Sequence, residues 1–293
     1  MAHSINSQKK LSKRKRGLLP LLVRCYRIWH GRMKLRGLGL TIRILAPHFK
    51  SLQSYPLQLP EGQTLHLDFR DVSAWYWMNY TLGDRLEEEG LLQALRRVSK
   101  PGDTIWDVGA NCGLFSYILA RNLPDCRIVF FEPNPFVYGI ARSALRPFAN
   151  VQGMNIGLSS STRENTPLTL PRGGSTVGTL EPKQLGRVGP VISVSVDTGD
   201  QIIDKHGLPA PDTIKIDAEG HESEILKGLS RTIEQRTPKI FFEHIGLTNH
   251  TIQNIVPRGY NLHSVADDTG EIQRSFERRT GHNALLMPSE DTI

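Results

Sequence analysis

From about residue 82 almost to the C-terminus, short apolar runs alternate with amphipathic segments. Residues 84–98 place Leu86, Leu91, Leu92 and Leu95 on one side and end at the turn Lys100, Pro101, Gly102, which predicts a helix. An apolar run over 104–108 then leads through a glycine-containing loop to a helix over 114–122. A second run, 127–131, passes through a proline-rich turn to a helix over 136–145, and a third run follows at 151–156. Further on, 213–216 and 239–243 read as strands around a helix over 222–229. Two last strands are predicted at 260–265 and 283–287, with a turn at 267–270 between them. Strands alternating with helices imply parallel βαβ units with right-handed crossovers, hence an α/β, doubly wound sheet. The stretch 153–191, rich in Gly, Ser, Thr and Pro, is expected to carry loops over the sheet edge.

Upstream the pattern is different. Between residues 11 and 45, Leu18, Leu21, Leu22, Cys25, Ile28 and Trp29 recur every three or four positions among basic residues, which predicts one amphipathic basic helix. Pro47 and a loop-rich stretch over 51–62 separate it from 64–69, which alternates like a strand. The expected organisation is therefore a basic N-terminal arm and accessory region over 1–80, and one domain over 81–293.

Charge sharpens this division. The formal net charge is +7, yet residues 1–50 hold 13 Lys and Arg and no Asp or Glu, so the remaining 23 cations face all 29 acids and the body carries −6. A basic arm on an acidic body points to an anionic surface as its partner, either lipid headgroups or nucleic acid. Its interleaved leucines with Tyr26 and Trp29 favour peripheral contact with an anionic membrane. A solvated tail or an Arg-rich transit peptide would show the same composition. No run of eighteen apolar residues is present, so a transmembrane helix is not expected. Residues 18–23 are too short for a signal-peptide core. Cys25, Cys112 and Cys126 show neither metal-ligand spacing nor a disulfide framework, which suits a reducing, cytoplasmic setting.

Candidate chemistry lies at the carboxyl ends of the predicted strands, where open α/β sheets bind their ligands. The first loop is Asp107, Val108, Gly109, Ala110, Asn111, Cys112, Gly113. Its glycines permit a tight turn and close approach of a ligand, and the following helix presents free N–H groups. The spacing departs from the GxGxxG fingerprint that seats a pyrophosphate. A DxGxNxG loop opened by a carboxylate suits a cofactor with a zwitterionic amino-acid end and no phosphate. Glu132, ending the next strand, can accept both hydroxyls of an unphosphorylated ribose, a feature of both NAD and S-adenosylmethionine. The third piece, Lys215, Ile216, Asp217, Ala218, Glu219, Gly220, His221, Glu222, also leaves a strand end.

Here the chain resembles the FkbM family of methyltransferases, whose signature strand ends Lys-Ile-Asp-x-Glu-Gly. The Asp-Val-Gly-Ala-Asn-x-Gly loop, the Phe-Glu-Pro-Asn-Pro run at 131–135 and His-Asn-Ala-Leu-Leu-Met-Pro at 282–288 match as well. The resemblance covers roughly residues 82–288. It implies a Rossmann-like class I methyltransferase fold, with a mostly parallel seven-stranded sheet and an antiparallel last strand at 283–287. It also implies S-adenosyl-L-methionine as cofactor and O-methylation of a hydroxyl on a sugar, glycolipid or natural-product acceptor. By the same resemblance, Asp107, Gly109, Asn111 and Gly113 hold the methionine end, Glu132 the ribose, and Asn155 the neighbourhood of the adenine.

Methyl transfer from a sulfonium is an in-line displacement, so the protein must align the acceptor, exclude water and remove a proton. Candidate bases are Asp217, Glu219, His221, Glu243 and His244, with His221 favoured because imidazole titrates near neutral pH. Against these roles stand helix capping for Asp217 and Glu219, and plain packing for His221 and His244. Asp217, Glu219 and Glu243 have the oxygens for a divalent cation, but no obligatory metal is expected. Two other functions remain open. A nucleic-acid methyltransferase would use the arm on phosphates, though neither a Pro-Cys nucleophile nor an Asp/Asn-Pro-Pro-aromatic motif is present. An NAD-dependent oxidoreductase would share Glu132 and the fold but lacks the glycine spacing.

Overall fold

The computed structural model describes residues 25, 38–81, 88–171, 178–181, 188–244, 247–277 and 281–291. The chain divides into two compact units, Met1–Leu59 with Thr64–Asp84, and Pro60–Gln63 with Arg85–Ile293. Most of the basic helix expected over 11–45 lies outside the described residues.

The first unit contains helix α1 (Leu38–Leu45), a 3-10 turn (Ala46–His48), α2 (Lys50–Gln53), an antiparallel pair β1 (Tyr55–Gln58) and β2 (Thr64–Leu67), and α3 (Ser73–Thr81). The stretch 51–62 is therefore not simply a loop. Leu57 is buried on the inner face of β1 while its neighbours point outward, an alternation too short to stand out in the sequence. Leu65, Leu67, Phe69 and Trp77 fill this unit's core, and the Phe69 ring lies 5.0 Å from that of Trp75.

The second unit follows the predicted alternation. Its elements are α4 (Glu89–Val98), β3 (Thr104–Val108), α5 (Leu114–Asn122), β4 (Arg127–Phe131), α6 (Pro135–Leu145) and β5 (Val151–Met154). Next come β6 (Gly157–Leu158), β7 (Arg163–Pro171), β8 (Val188–Asp197), α7 (Gly199–His206) and β9 (Thr213–Ile216). The chain continues through α8 (Glu222–Gly228), α9 (Ser230–Arg236), β10 (Lys239–Glu243), α10 (Asn249–Ile255), β11 (Tyr260–Val265), β12 (Ile272–Gln273) and β13 (Asn283–Pro288). The main sheet runs β12-β11-β13-β10-β9-β3-β4-β5. Strands β3, β4, β5, β9 and β10 pair in parallel, and β13 runs antiparallel to both of its neighbours. This is the expected seven-stranded sheet with a two-residue strand, β12, added at one edge.

Both faces of the sheet are covered. Trp106, Val108, Val129, Phe131, Ile214, Ile216, Ile240 and Phe242 form one cluster, and the residues alternating with them, among them Ile105, Phe130 and Phe241, are buried too. Each such side chain contributes about 1.5–3 kcal/mol on burial, enough together to offset a charged pair desolvated in the same sheet. That pair is Asp107 on β3 and Lys215 on β9, direct neighbours in the register. The chain passes from β3 to β4 on one side and later places β9 on the other, so the strand order reverses between β3 and β9.

The stretch 153–191 departs from expectation. Its described part forms the second sheet, β6-β8-β7, whose Leu168, Leu170, Val194 and Val196 make a small core of their own. Thr166, Pro167, Thr169, Ser193 and Ser195, interspersed with these apolar residues, masked a period-two pattern beneath a loop-like composition. Within the second unit three helices, α7, α9 and α10, have no counterpart in the expected pattern, and the third strand stops at Met154 instead of residue 156.

Candidate active site

The loop after β3 turns on two glycines with positive φ, Gly109 at +79° and Gly113 at +79°, and on Asn111 at +54°. Asn tolerates this left-handed region better than most residues, here with its Oδ1 accepting from the Cys112 amide at 2.6 Å. The N–H groups of Gly109 and Ala110 both donate to the Phe131 carbonyl at 3.0 Å. A Cβ on Gly109 would lie 1.9 Å from the Asp217 carbonyl oxygen, and one on Gly113 would lie 2.6 Å from Cβ of Ala141 in α6. The glycines therefore let this loop press against the loop after β9 on one side and α6 on the other.

Asp107 is fully buried. Its Oδ2 accepts from Ser116 Oγ at 2.6 Å, in the first turn of α5. Its Oδ1 lies 3.5 Å from Lys215 Nζ without accepting a hydrogen bond. Lys215 donates to Asp217 Oδ2 at 3.2 Å and sits 4.9 Å from the Phe115 ring centroid. Burial disfavours its charge, but Asp217 and Asp107 overcome that and hold the ammonium above the ordinary lysine range.

Glu132 follows β4 and is nearly buried. Its Oε2 accepts from the Asn111 amide at 2.9 Å and its Oε1 from the Asn134 amide at 2.7 Å. Burial pushes its carboxyl up to about 7, the two amides pulling the other way. One lone-pair direction on each oxygen is still available to a further donor. Asn155 is exposed, and its Nδ2 donates to the carbonyls of Glu132 and Pro133 at 2.8 and 3.1 Å. It is thus turned to the backbone behind Glu132, while the next residue, Ile156, lines the cavity.

The loop after β9 gathers the acids. Glu219 takes φ +51°, a strained setting for a residue with a side chain, and Gly220 follows at +97°. Burial, with Asp217 and Glu222 nearby, raises the Glu219 carboxyl to about 7. Glu243, at the end of β10, is raised to about 8 by burial and by Asp217 and Glu219. Glu222 is buried, and its Oε1 caps the loop by accepting from the amides of Ala218 and Gly220. His221 is 4% exposed, with Nε2 3.0 Å from Ser159 Oγ and Nδ1 3.1 Å from Glu181 Oε1. Its burial lowers the imidazole pKa against the opposing pull of Glu181. His244 is buried, edge-on to Phe276 at 5.2 Å between centroids.

One cavity joins these loops. Gly109, Asn111, Glu132, Asp217, Glu219 and His221 all line it, with apolar walls from Pro133, Ile156, Leu158 and Leu180. A larger surface groove, between α8–α10 and the far ends of β11 and β13, holds none of these residues. Among the described residues no group of three or more His, Cys, Asp or Glu is arranged to hold a metal ion, and no helix is long and apolar enough to cross a membrane. Ser116, Ser159, Thr179, Leu180 and Glu181 join the site without any local pattern to mark them, since only the folded strands bring them in.

A model of the methyltransferase FkbM domain matches residues 107–279, more than half of the chain. The chain belongs to the FkbM methyltransferase family. This FkbM-family enzyme is 26% identical over 175 residues to the hexuronic acid methyltransferase AglP of Haloferax volcanii, covering 57% of this chain and 67% of AglP. To methyltransferase sdnD of Sordaria araneosa it is 33% identical over 156 residues, covering 43% of this chain and 60% of sdnD. The chain thus spans about two thirds or less of the length of these relatives. A crystal structure of methyltransferase FkbM from Methylobacillus flagellatus KT superposes at a TM-score of 0.44 and 17% identity, covering 85% of this chain and 60% of that one.

Proposed function

We propose that this FkbM-family enzyme transfers a methyl group from S-adenosyl-L-methionine to a hydroxyl of a small acceptor, a sugar, a glycolipid or a natural product. The observation that carries the proposal is the convergence of the glycine-bent loop, the Glu132 carboxylate and the acidic loop on one cavity at the reversal of strand order. The residues present fit the donor. Asp107 Oδ1 is buried without a hydrogen bond, and Glu132 keeps acceptor capacity beside the turn. Asp107, Gly109, Asn111 and Gly113 would hold the amino-acid end and Glu132 the ribose. When bound, the donor supplies an electrophilic methyl group on a sulfonium.

The chain's own share of the chemistry is to orient the acceptor and take its proton. Glu219 suits that task, because it lines the cavity and a carboxyl held near 7 accepts a proton efficiently around neutral pH, while Glu243 at the end of β10 is not among the lining residues. His221 has both ring nitrogens engaged, so its role here is to hold its loop in place instead of acting as the base. The name of AglP, a hexuronic acid methyltransferase, supports a sugar acceptor. The test is isothermal titration with S-adenosylhomocysteine beside NAD, on the parent protein and Glu132→Ala. Binding of S-adenosylhomocysteine alone, weakened at least tenfold in the variant, is expected from the loss of a charged acceptor worth about 1.5–3 kcal/mol. Binding of NAD in its place would overturn the donor assignment.

A further inference from the structure

Gly178 and Leu180 line the cavity, and the segment 178–181 is tied both to the small sheet and to the acidic loop. The Thr169 and Thr179 backbones exchange two hydrogen bonds of 3.0 Å, which fixes the segment to the edge of β7. The Thr179 hydroxyl, buried at 1% exposure, donates to the Glu219 carbonyl at 2.9 Å and accepts from the Glu181 amide at 2.8 Å. The Glu181 carboxylate reaches His221 Nδ1, whose Nε2 reaches Ser159 just after β6. Gly178 and Leu180, on either side of Thr179, line the cavity facing Gly109, Asn111 and Glu132.

These contacts join the small sheet to the two residues of the acidic loop that most need support: Glu219, in a left-handed conformation, and His221, the N-cap position of α8. Leu180, Pro133, Ile156 and Leu158 line the same cavity as Glu132, an apolar wall and a carboxylate that together suit a flat heteroaromatic ring next to a ribose. We infer that residues 178–181 form a clasp that retains the bound donor, with Leu180 touching its adenosyl part and Thr179 and Glu181 as positioning residues for the Glu219–His221 loop. This rests on the donor assignment above.

The clasp predicts a split between rates. In the full chain, Thr179→Val keeps the branched shape and backbone bonds but loses the hydroxyl, and Leu180→Ala removes the cavity contact together with some packing on the Leu168–Val196 core, which its melting temperature reads separately. Both are expected to raise the dissociation rate of S-adenosylhomocysteine, measured by stopped-flow displacement, about five- to tenfold, with association within about twofold. Thr179→Ser is expected to restore the parent rate. A merely structural Thr179 would lower the melting temperature and leave dissociation unchanged. Should Thr179→Val fail to fold, Leu180→Ala decides. Parent-like dissociation in Leu180→Ala, or a Thr179→Ser that behaves as Thr179→Val, would overturn the clasp while the donor assignment stands. A folded parent that binds no S-adenosylhomocysteine would remove the donor assignment and the clasp with it.

Discussion

Gly109→Ala separates two costs that the same substitution elsewhere does not. At Gly207, which ends α7 at φ +62°, an added Cβ meets nothing within 4 Å. Gly207→Ala therefore carries only the left-handed backbone cost, about 1–2 kcal/mol. At Gly109 the same backbone cost applies, but the added Cβ would lie 1.9 Å from the Asp217 carbonyl oxygen. Reaching even 3.0 Å, a separation below which Cβ contacts are essentially never found, requires the two loops to part by about 1.1 Å. Overpacking of that kind adds about 1–3 kcal/mol, so Gly109→Ala is expected to cost roughly 2–5 kcal/mol in all. Asp217 is also one of the two carboxylates that hold Lys215, so the shift should reach the cavity as well as the core. Urea denaturation measures the stability term, and titration with S-adenosylhomocysteine measures the site. Gly109→Ala should lose affinity by more than tenfold where Gly207→Ala binds like the parent. Equal destabilisation of the two variants, with affinity intact in both, would refute the close loop contact as the reason for Gly109.

Two further predictions follow from the buried charges. In the proposed donor site Glu132 would accept ribose hydroxyls best as a carboxylate, and burial holds its carboxyl at about 7, so affinity for S-adenosylhomocysteine should rise about tenfold from pH 6 to pH 8. Glu132→Gln should bind more weakly with that slope abolished; an unchanged slope would assign it to Glu219 or Glu243. The sign for stability is opposite: a carboxyl raised in the folded state gives stability that is present below its unfolded value of 4.5 and lost as pH rises through 7. Lys215→Met should cost about 3–5 kcal/mol, because Asp107 and Asp217 are left beside an apolar group. Urea denaturation at neutral pH reads the deficit, and a loss under about 1 kcal/mol would show that packing, not charge, is what Lys215 supplies.

The strands that hold the site were legible because both of their faces are buried. Residues 104–108, 127–131, 213–216 and 239–243 each open on a polar residue and are otherwise apolar apart from Asp107, Lys215 and Glu243, so their limits coincide with those observed. β7 and β8 are buried over only part of their length, with Arg163, Glu164, Asn165, Pro190, Val191 and Ser193 exposed. There Leu168 and Leu170 pack on Val194 and Val196 while threonine, serine and proline take neighbouring positions, a composition that reads as loop. The helix α7 did carry its signals, Thr198 accepting from the Gln201 amide and Gly207 closing the last turn, but it is only eight residues long with a narrow apolar face.

Within the site, the split follows how far each contact reaches along the chain. The bent loop and the acid at the next strand end are local patterns, so Asp107, Gly109, Gly113 and Glu132 could be singled out from spacing. The contact that makes Gly109 necessary comes from Asp217, and the cation beside Asp107 comes from Lys215; both depend on β3 and β9 being neighbours, which is a property of the sheet. His221 shows the limit most clearly. As an imidazole after a strand end it reads as a base, yet Ser159 and Glu181, distant in the chain, occupy both of its nitrogens. Residue type identified a titratable group, but its partners decide what that group is free to do, which is why Glu219 takes the proton-accepting role in the proposed reaction.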